Sequence, residues 1–486
     1  PAMPDAVTLD RFYIDGAWTT PSGAQTMPIL DPATEASFGT VTLGDARDVD
    51  RAVAAAARAF ESFSRSSVAE RVALLERIDT LTRARRAELA QATSLEMGAP
   101  ITFAREVQTD AAIGQLGPFV EALKALETRT ILPSGDVEIL EPVGVVGMIA
   151  PWNWPLYQVV LKVLPAIAAG CTAVLKPSEH TPLTATIYAE ILHEAGVPPG
   201  VVNLVQGDGP TVGAALSRHP DVAMMSFTGS LRGGTAVTRD AADTVKRVVL
   251  ALGGKSPNLV FADCPDLETR VSESFAECIN TNGQACDAPT RMLVERSVYD
   301  DAVEIARRAA EATRVGPPDR EGDHIGPVVN QAQFDRVQAL IRSGIDEGAR
   351  LVAGGPGRAA GLNRGWYVRP TVFADVTPEM RVTREEIFGP VLVMMPFEDE
   401  DEAVRLANDT PYGLAAYMQT GDPARAERVA ARLRAGAVHV NGAAMEYGTA
   451  FGGMRQSGNG REGGMHGLRE YYELKTLHLP PDWPRA

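Results

Sequence analysis

The chain has 486 residues, of which 45% are hydrophobic and 22% charged, and a formal charge of −16 at pH 7. That length exceeds one ordinary core and predicts two or three domains of a multidomain enzyme; the acidic balance, unrelieved by any Lys/Arg-rich block or aromatic-interleaved basic stripe, opposes binding to nucleic acid. No apolar run reaches the length of a membrane span, since the longest, 159–169, is interrupted by Lys162 and Pro165, and no basic-then-apolar leader opens the chain, so neither a membrane partner nor export is expected.

Four cysteines (Cys171, Cys264, Cys278, Cys286) without a C-x-x-C pair argue against a zinc ribbon or a disulfide scaffold and favour a cytoplasmic setting. The seven histidines contain no H-E-x-x-H and no serine sits in G-x-S-x-G, so zincin and serine-hydrolase readings lose their support and no metal is expected.

In chain order, Val49, Val53, Ala56, Phe60 and Phe63 fall at helical spacing, and Val68, Val72, Leu75, Ile78 and Leu81 repeat the pattern. The N-terminal region therefore reads as mainly helical. From Val143 the texture changes: short apolar runs at 143–150, 171–176, 201–205 and 222–227 alternate with helical stretches near 156–169, 182–195 and 210–218. This alternation predicts a parallel, doubly wound α/β sheet. A second α/β region begins near Pro257, with a strand at 257–261 and helices at 266–280, 298–313 and 331–347, and a boundary is expected around residue 254. The stretch 354–365 reads as a surface loop, and 451–467, with seven glycines, as a compact irregular segment.

Seven blocks stand out: Pro151-Trp152-Asn153-Trp154-Pro155, Lys176-Pro177-Ser178-Glu179, Phe227-Thr228-Gly229-Ser230, Leu252-Gly253-Gly254-Lys255-Ser256-Pro257, Gly283-Gln284-Ala285-Cys286, Glu386-Ile387-Phe388-Gly389-Pro390, and Phe451-Gly452-Gly453 with Gln456-Ser457-Gly458. In order and spacing they resemble the hydrolytic, non-acylating NAD(P)-dependent aldehyde dehydrogenases along nearly the whole chain. The resemblance implies an α/β fold with a Rossmann-type NAD-binding domain (1–120 and 142–253), an α/β catalytic domain (254–456) and a small β oligomerisation element (121–141 and 467–486). It also implies a homodimer or a homotetramer built from dimers.

Oxidising an aldehyde by hydride transfer first needs a tetrahedral carbon, which a thiolate can supply while leaving a hydrolysable thioester. Free cysteines are usually small buried apolar residues, and Cys171, Cys264 and Cys278 read as core or loop residues of that kind. The Gly-Gln-x-Cys setting marks Cys286 as nucleophile. By resemblance Asn153 is the side-chain donor to the developing oxyanion, with the Cys286 backbone N–H as its partner; read alone, an asparagine between two tryptophans also shapes turns. Lys162 and Glu462 resemble the family's proton path to its deacylating base, and otherwise read as surface charges.

For the cofactor, Lys176, Ser178 and Glu179 follow a predicted strand. A carboxylate there accepts from an adenosine 2′-hydroxyl and repels a 2′-phosphate, so NAD is expected, with NADP possible because Lys176 is so near. Ile149, Ala150, Pro151, Trp152, Phe227, Thr228, Gly229, Ser230, Gly234, Leu252 and Gly253 resemble the coenzyme cradle, and Glu386 and Phe388 the groups holding the nicotinamide-side ribose and ring. Gly207-x-Gly209-x-x-x-Gly213 departs by one residue from the dinucleotide fingerprint, which counts against a standard Rossmann dehydrogenase.

The resemblance breaks at Val249-Leu250-Ala251-Leu252-Gly253-Gly254-Lys255, where the family carries its general-base glutamate and this chain has Ala251. Three explanations are open: an engineered substitution that stalls the enzyme, a member that passes its acyl group to coenzyme A, or one of weak or lost activity. The first is favoured, because Leu-Gly-Gly-Lys-Ser-Pro, Lys162 and Glu462 all look hydrolytic. A non-catalytic scaffold on the same fold is a further alternative. Family positions facing the aldehyde tail are Trp154, Tyr157, Gln158, Leu161, Ala285, Asp287, Ala444 and Met445, which imply an apolar or mixed tail.

Overall fold

The computed structural model describes residues 6–484; the outermost parts of the expected domains, 1–5 and 485–486, lie outside them. Three apolar runs form strands buried along their whole length, Val145–Ile149, Thr172–Lys176 and Met224–Thr228. Strands covered on both faces read as continuous apolar runs because helices pack on each side of a parallel sheet. With Arg247–Ala251 and Val202–Leu204 they make the parallel middle of an eight-stranded sheet. Register brings Ile149 beside Lys176 and Phe227, and Thr228 beside Ala251, so the carboxyl ends of four strands meet on one edge.

The sheet departs from the expected parallel arrangement at both flanks. Gly458–Asn459 pairs antiparallel with Arg247–Ala251 on one side, and Phe12–Ile14 with Ala17–Thr19 closes the other, also antiparallel. The reading of the N-terminal region as mainly helical is corrected accordingly. Helices Ala46–Phe63, Val68–Ala84 and Arg86–Met97 are present, but five strands lie between residues 7 and 43. Three of those strands have only three residues, too few to show a period of two.

A second sheet of seven strands is parallel apart from Arg350–Ala353, which runs antiparallel to Thr371–Ala374. Its core is built by Leu259, Leu293, Phe373, Val393 and Met418, all at 0% exposure. Separate clusters pack each face of the first sheet, one around Val163, Ile167 and Ile191, the other around Phe12, Val53 and Val174. The mixed α/β architecture is therefore as expected.

A three-stranded antiparallel sheet joins Arg129–Ile131 and Val137–Pro142 to Tyr472–Leu477. The hairpin expected near 121–141 is shorter than that range, because residues 121–125 end the helix Leu116–Ala125. The apolar spacing of Leu116, Phe119, Val120 and Leu123 buries one face there and keeps it helical. Among the described residues, no helix is long and apolar enough to cross a membrane.

Candidate active site

The segment bearing Cys286 follows the helix Leu267–Gly283, whose last turn is broken. Asn280 is extended, Thr281 and Asn282 have φ of 53° and 58°, and Gly283 has φ of 76°. Left-handed backbone costs a non-glycine residue free energy and persists where its surroundings dictate it. Here Asn282 Nδ2 donates to Pro327 O at 2.7 Å and Gly98 O at 3.0 Å, and Gln284 Oε1 accepts from the Val329 N–H at 3.0 Å. A Cβ on Gly283 would lie 2.1 Å from the Gly389 carbonyl carbon, so only glycine fits that position. The thiol is therefore delivered by a backbone pinned from several sides.

Asn153 Nδ2 donates to Gln284 O at 2.9 Å, and Gln108 Nε2 donates to Asn153 O at 3.1 Å. An amide has two N–H donors, so one remains for a group in the cavity. That cavity, about 600 Å³, is lined by Cys286, Asn153 and Ala251 together with Pro151, Trp152, Gln158, Thr228, Gly229, Ser230, Leu252, Gly253, Glu386 and Phe388. Widely separated blocks thus converge on one cavity.

Burial drives the Cys286 thiol pKa well above its ordinary value, and the charges of Asp287, Glu386 and Glu462 push the same way. Glu386 is itself buried, which moves its carboxyl up to about 7. Beneath Ala251, Lys162 Nζ contacts Glu462 Oε1 at 2.6 Å, Thr228 Oγ1 at 2.7 Å and Ser226 Oγ at 3.2 Å. Both charged groups are buried, at 0% and 6% side-chain exposure, which corrects their reading as surface charges.

Farther along the strand ends, Lys176 Nζ donates to Pro177 O and Gly207 O, each at 2.6 Å, and to Glu179 at 3.3 Å. A Cβ on Gly213 would touch Ile149 at 3.5 Å and Lys176 at 3.8 Å, so the glycine turn 207–213 lies against the same edge. Gly209 and Gly213 bound a short π-helical turn. Ser230 caps the helix Leu231–Ala241 through Gly233 N at 3.1 Å, and Gly234 lets that helix close on Leu252. Phe227 fills the space beneath Gly229 and Gly233. Ala150 is buried at the end of its strand, and Ser178 Oγ is occupied with His180 N at 3.2 Å. Phe388 and Trp152 meet edge to face at 5.4 Å.

Trp154 and Tyr157 pack at 5.6 Å, and Tyr417 Oη donates to Asp287 O at 3.0 Å. Burial raises the Asp287 carboxyl. Ala285 is buried, Ala444 is exposed and Met445 is 37% exposed. Of the positions expected to face the aldehyde tail, Gln158 lines the cavity, whereas Trp154, Tyr157, Leu161, Ala285, Asp287, Ala444 and Met445 are not among its lining residues, and Leu161, at 1% exposure, packs in the core of the first sheet.

Five lining residues escaped the sequence reading: Leu231, Arg232, Gln333, Arg336 and Tyr412. Gln333 Nε2 donates to Phe388 O at 2.7 Å and Arg336 Nη2 to Glu386 O at 2.7 Å. Both sit on the helix Gln331–Asp346, whose sequence reads as an ordinary amphipathic helix with polar residues outward. Only their i, i+3 spacing hints at a shared face.

Residues 18–477 match the model of the aldehyde dehydrogenase family. The chain belongs to this family. A 3-succinoylsemialdehyde-pyridine dehydrogenase from Pseudomonas sp is 47% identical over 468 residues, covering 96% of this chain and 98% of the relative. The crystal structure of an aldehyde dehydrogenase from Bartonella henselae superposes with a TM-score of 0.95 at 48% identity, over 97% of this chain and 99% of that one. A cysteine-to-alanine mutant of aldehyde dehydrogenase C from Pseudomonas syringae, solved with NAD+ and octanal, also gives a TM-score of 0.95 at 48% identity, over 98% and 97% of the two chains. As an aldehyde dehydrogenase by family, the chain carries its cysteine, its amide and its strand ends on one cavity.

Proposed function

We propose that the protein oxidises an aldehyde to a carboxylic acid with NAD through covalent intermediates on Cys286, and that the release of the acyl group is impaired because Ala251 carries no ionisable side chain. The observation that carries this reading is the meeting of Cys286, Asn153 and Ala251 in the lining of a single cavity.

The residues present fit a dinucleotide. A helix of 11 residues, capped by Ser230, points its N-terminus at the cavity, and the Lys176–Glu179 pair stands at a neighbouring strand end. Glu179 and Lys176 would hold the adenosine ribose, and Glu386 and Phe388 the nicotinamide side. NAD, when bound, accepts the hydride. The cofactor in the Pseudomonas syringae relative supports this assignment.

Attack of the Cys286 thiolate on the carbonyl gives a thiohemiacetal whose oxyanion takes N–H bonds from Asn153 and from the Cys286 backbone. Loss of hydride leaves a thioester. Hydrolysis then needs a base, and an alanine cannot accept a proton. Lys162 and Glu462 form the inward end of a proton path that Ala251 leaves unconnected. Octanal in one relative and a pyridine aldehyde in another suit an apolar or mixed tail between Trp154 and Tyr157. A carboxylate at Asp287 disfavours anionic aldehydes.

With aldehyde and NAD, about one NADH per active site should appear first, followed by a slow phase, since losing a positioned base costs roughly 10²–10⁴ in rate. The burst should quicken as pH rises, because the thiol pKa lies well above its ordinary value and the thiolate fraction grows with pH. Ala251→Glu should restore multiple turnovers in water. Steady turnover that this substitution leaves unchanged would remove Ala251 from the base position. Ala251 also permits an acylating reading, in which coenzyme A rather than water takes the acyl group; coenzyme A added to the alanine protein would then abolish the slow phase. A thiol inert to iodoacetamide with and without NAD would favour a non-catalytic scaffold.

A further inference from the structure

An acylated Cys286 is freed by water only where a base lies within reach. Among the described residues lining the cavity, one carries a carboxylate, and it is Glu386. Asp287 and Glu462 also bring negative charge near the thiol, but neither lines that cavity and Glu462 is tied to Lys162 at 2.6 Å. Glu386 Oε1 accepts from the Gly254 N–H at 3.2 Å. A Cβ on Gly253 would lie 2.3 and 2.4 Å from the two carboxylate oxygens, and one on Gly254 would lie 2.8 Å from the carbonyl oxygen of Cys286. The glycine pair thus lies against the carboxylate on one side and the backbone of the nucleophile on the other, and side chains at 253 and 254 would collide with them.

We propose that Glu386 is the general base that hydrolyses the Cys286 thioester in this chain, the task for which the strand ending at Ala251 supplies no group. The inference rests on the hydrolytic reading above. In the step, a water oxygen bonds to the thioester carbonyl carbon while Glu386 takes the departing proton. The tetrahedral intermediate then breaks the C–S bond, expels the Cys286 thiolate and yields the carboxylic acid. The proton on Glu386 returns to the thiolate or to solvent, so the sum is thioester plus water to acid plus thiol.

The charges facing Glu386 agree with this role. Burial raises its carboxyl, while the Gly254 N–H, Lys255 and Arg336 lower it, and the balance lies at about 7. Tyr412 and Cys286 face it as well, each with its own pKa raised in part by the charge of Glu386. A base works best with a pKa near the operating pH. Its basic form fills as pH rises through about 7, so deacylation should climb across that range and level off above it. Since the same carboxylate is assigned to the nicotinamide-side ribose, bound nucleotide and attacking water compete for one group.

The test uses p-nitrophenyl acetate without nucleotide. The initial nitrophenolate burst counts acylated Cys286, and the slow phase reports deacylation. Glu386→Gln should keep the burst amplitude, lose roughly tenfold or more of the slow phase and flatten its rise with pH. On the unmodified protein, saturating NADH should slow the decay of isolated acetyl-enzyme by a comparable factor. A slow phase in Glu386→Gln with the same rate and pH profile overturns the proposal, and so does a decay indifferent to NADH. Where Glu386→Gln gives no burst, the NADH measurement decides alone. Ala251→Glu in parallel tests the reading beneath: faster deacylation in that variant, with no effect of Glu386→Gln in the alanine protein, sinks this inference and leaves hydrolysis standing.

Discussion

At the scale of single residues, the site is governed by burial acting on charge. Glu179 is the group whose effect is most direct to read, because its carboxylate stands 3.3 Å from Lys176 at a strand end. Glu179→Gln removes a negative charge while keeping an acceptor. The preference for NAD over NADP, measured as the ratio of kcat/KM, should narrow by several-fold, since a 2′-phosphate no longer meets a like charge and Lys176 is released from its partner. An unchanged ratio would take Glu179 out of the cofactor site. The sequence singled these residues out, but their burial and charge state were not legible in it. Lys162 and Glu462, which read as surface charges, form a buried ion pair, and neither spacing nor composition reveals a contact between residues 300 positions apart. The same holds for Glu386, whose carboxyl is moved to about 7 only because the chain closes over it.

Among the elements, the broken end of the helix Leu267–Gly283 decides where the thiol goes. Gly283→Ala should be poorly tolerated: its φ is 76°, and a Cβ would meet the Gly389 carbonyl carbon at 2.1 Å, with backbone and not a flexible side chain as the obstacle. The left-handed strain alone costs about 1–3 kcal/mol. The thermal midpoint should therefore fall and the NADH burst should be largely lost, while far-ultraviolet circular dichroism stays close to that of the unmodified chain. A full burst in Gly283→Ala would show that residues 280–286 adjust freely. The strands expected at 143–150, 171–176, 222–227 and 257–261 and the helices expected near 156–169, 182–195, 266–280, 298–313 and 331–347 were legible because each shows its period or its apolar run, whereas the parallel strands Arg247–Ala251, Arg291–Glu295, Thr371–Ala374, Val391–Phe397, Ala415–Gln419 and Ala437–Val440 were not read. The three-residue strands near the N-terminus and the antiparallel strand Gly458–Asn459 were not, since two or three residues carry no periodicity and their pairing partners are remote.

For the whole molecule, the three-stranded sheet leaves Arg129–Ile131 and Tyr472–Leu477 as its two edges. Ile131 is 50% and Leu474 59% exposed. Sheet edges that expose apolar side chains are a liability that association removes. The protein should sediment as a homodimer or as a tetramer of two dimers, and Leu474→Asp should shift it toward smaller species; a monomer for the unmodified chain contradicts the expectation. The amino-acid sequence by itself determined the family and the α/β class, because ordered blocks of glycine, proline and a single cysteine record local backbone demands that only a few residue types meet. It also determined the alanine at 251. The tertiary structure alone decided that Leu161 packs in the core, that Gln333, Arg336 and Tyr412 reach the cavity, and that Glu386 shares that cavity with Cys286. Those are facts of distance between remote segments and of exclusion from water, and both arise only when two sheets close on a common edge.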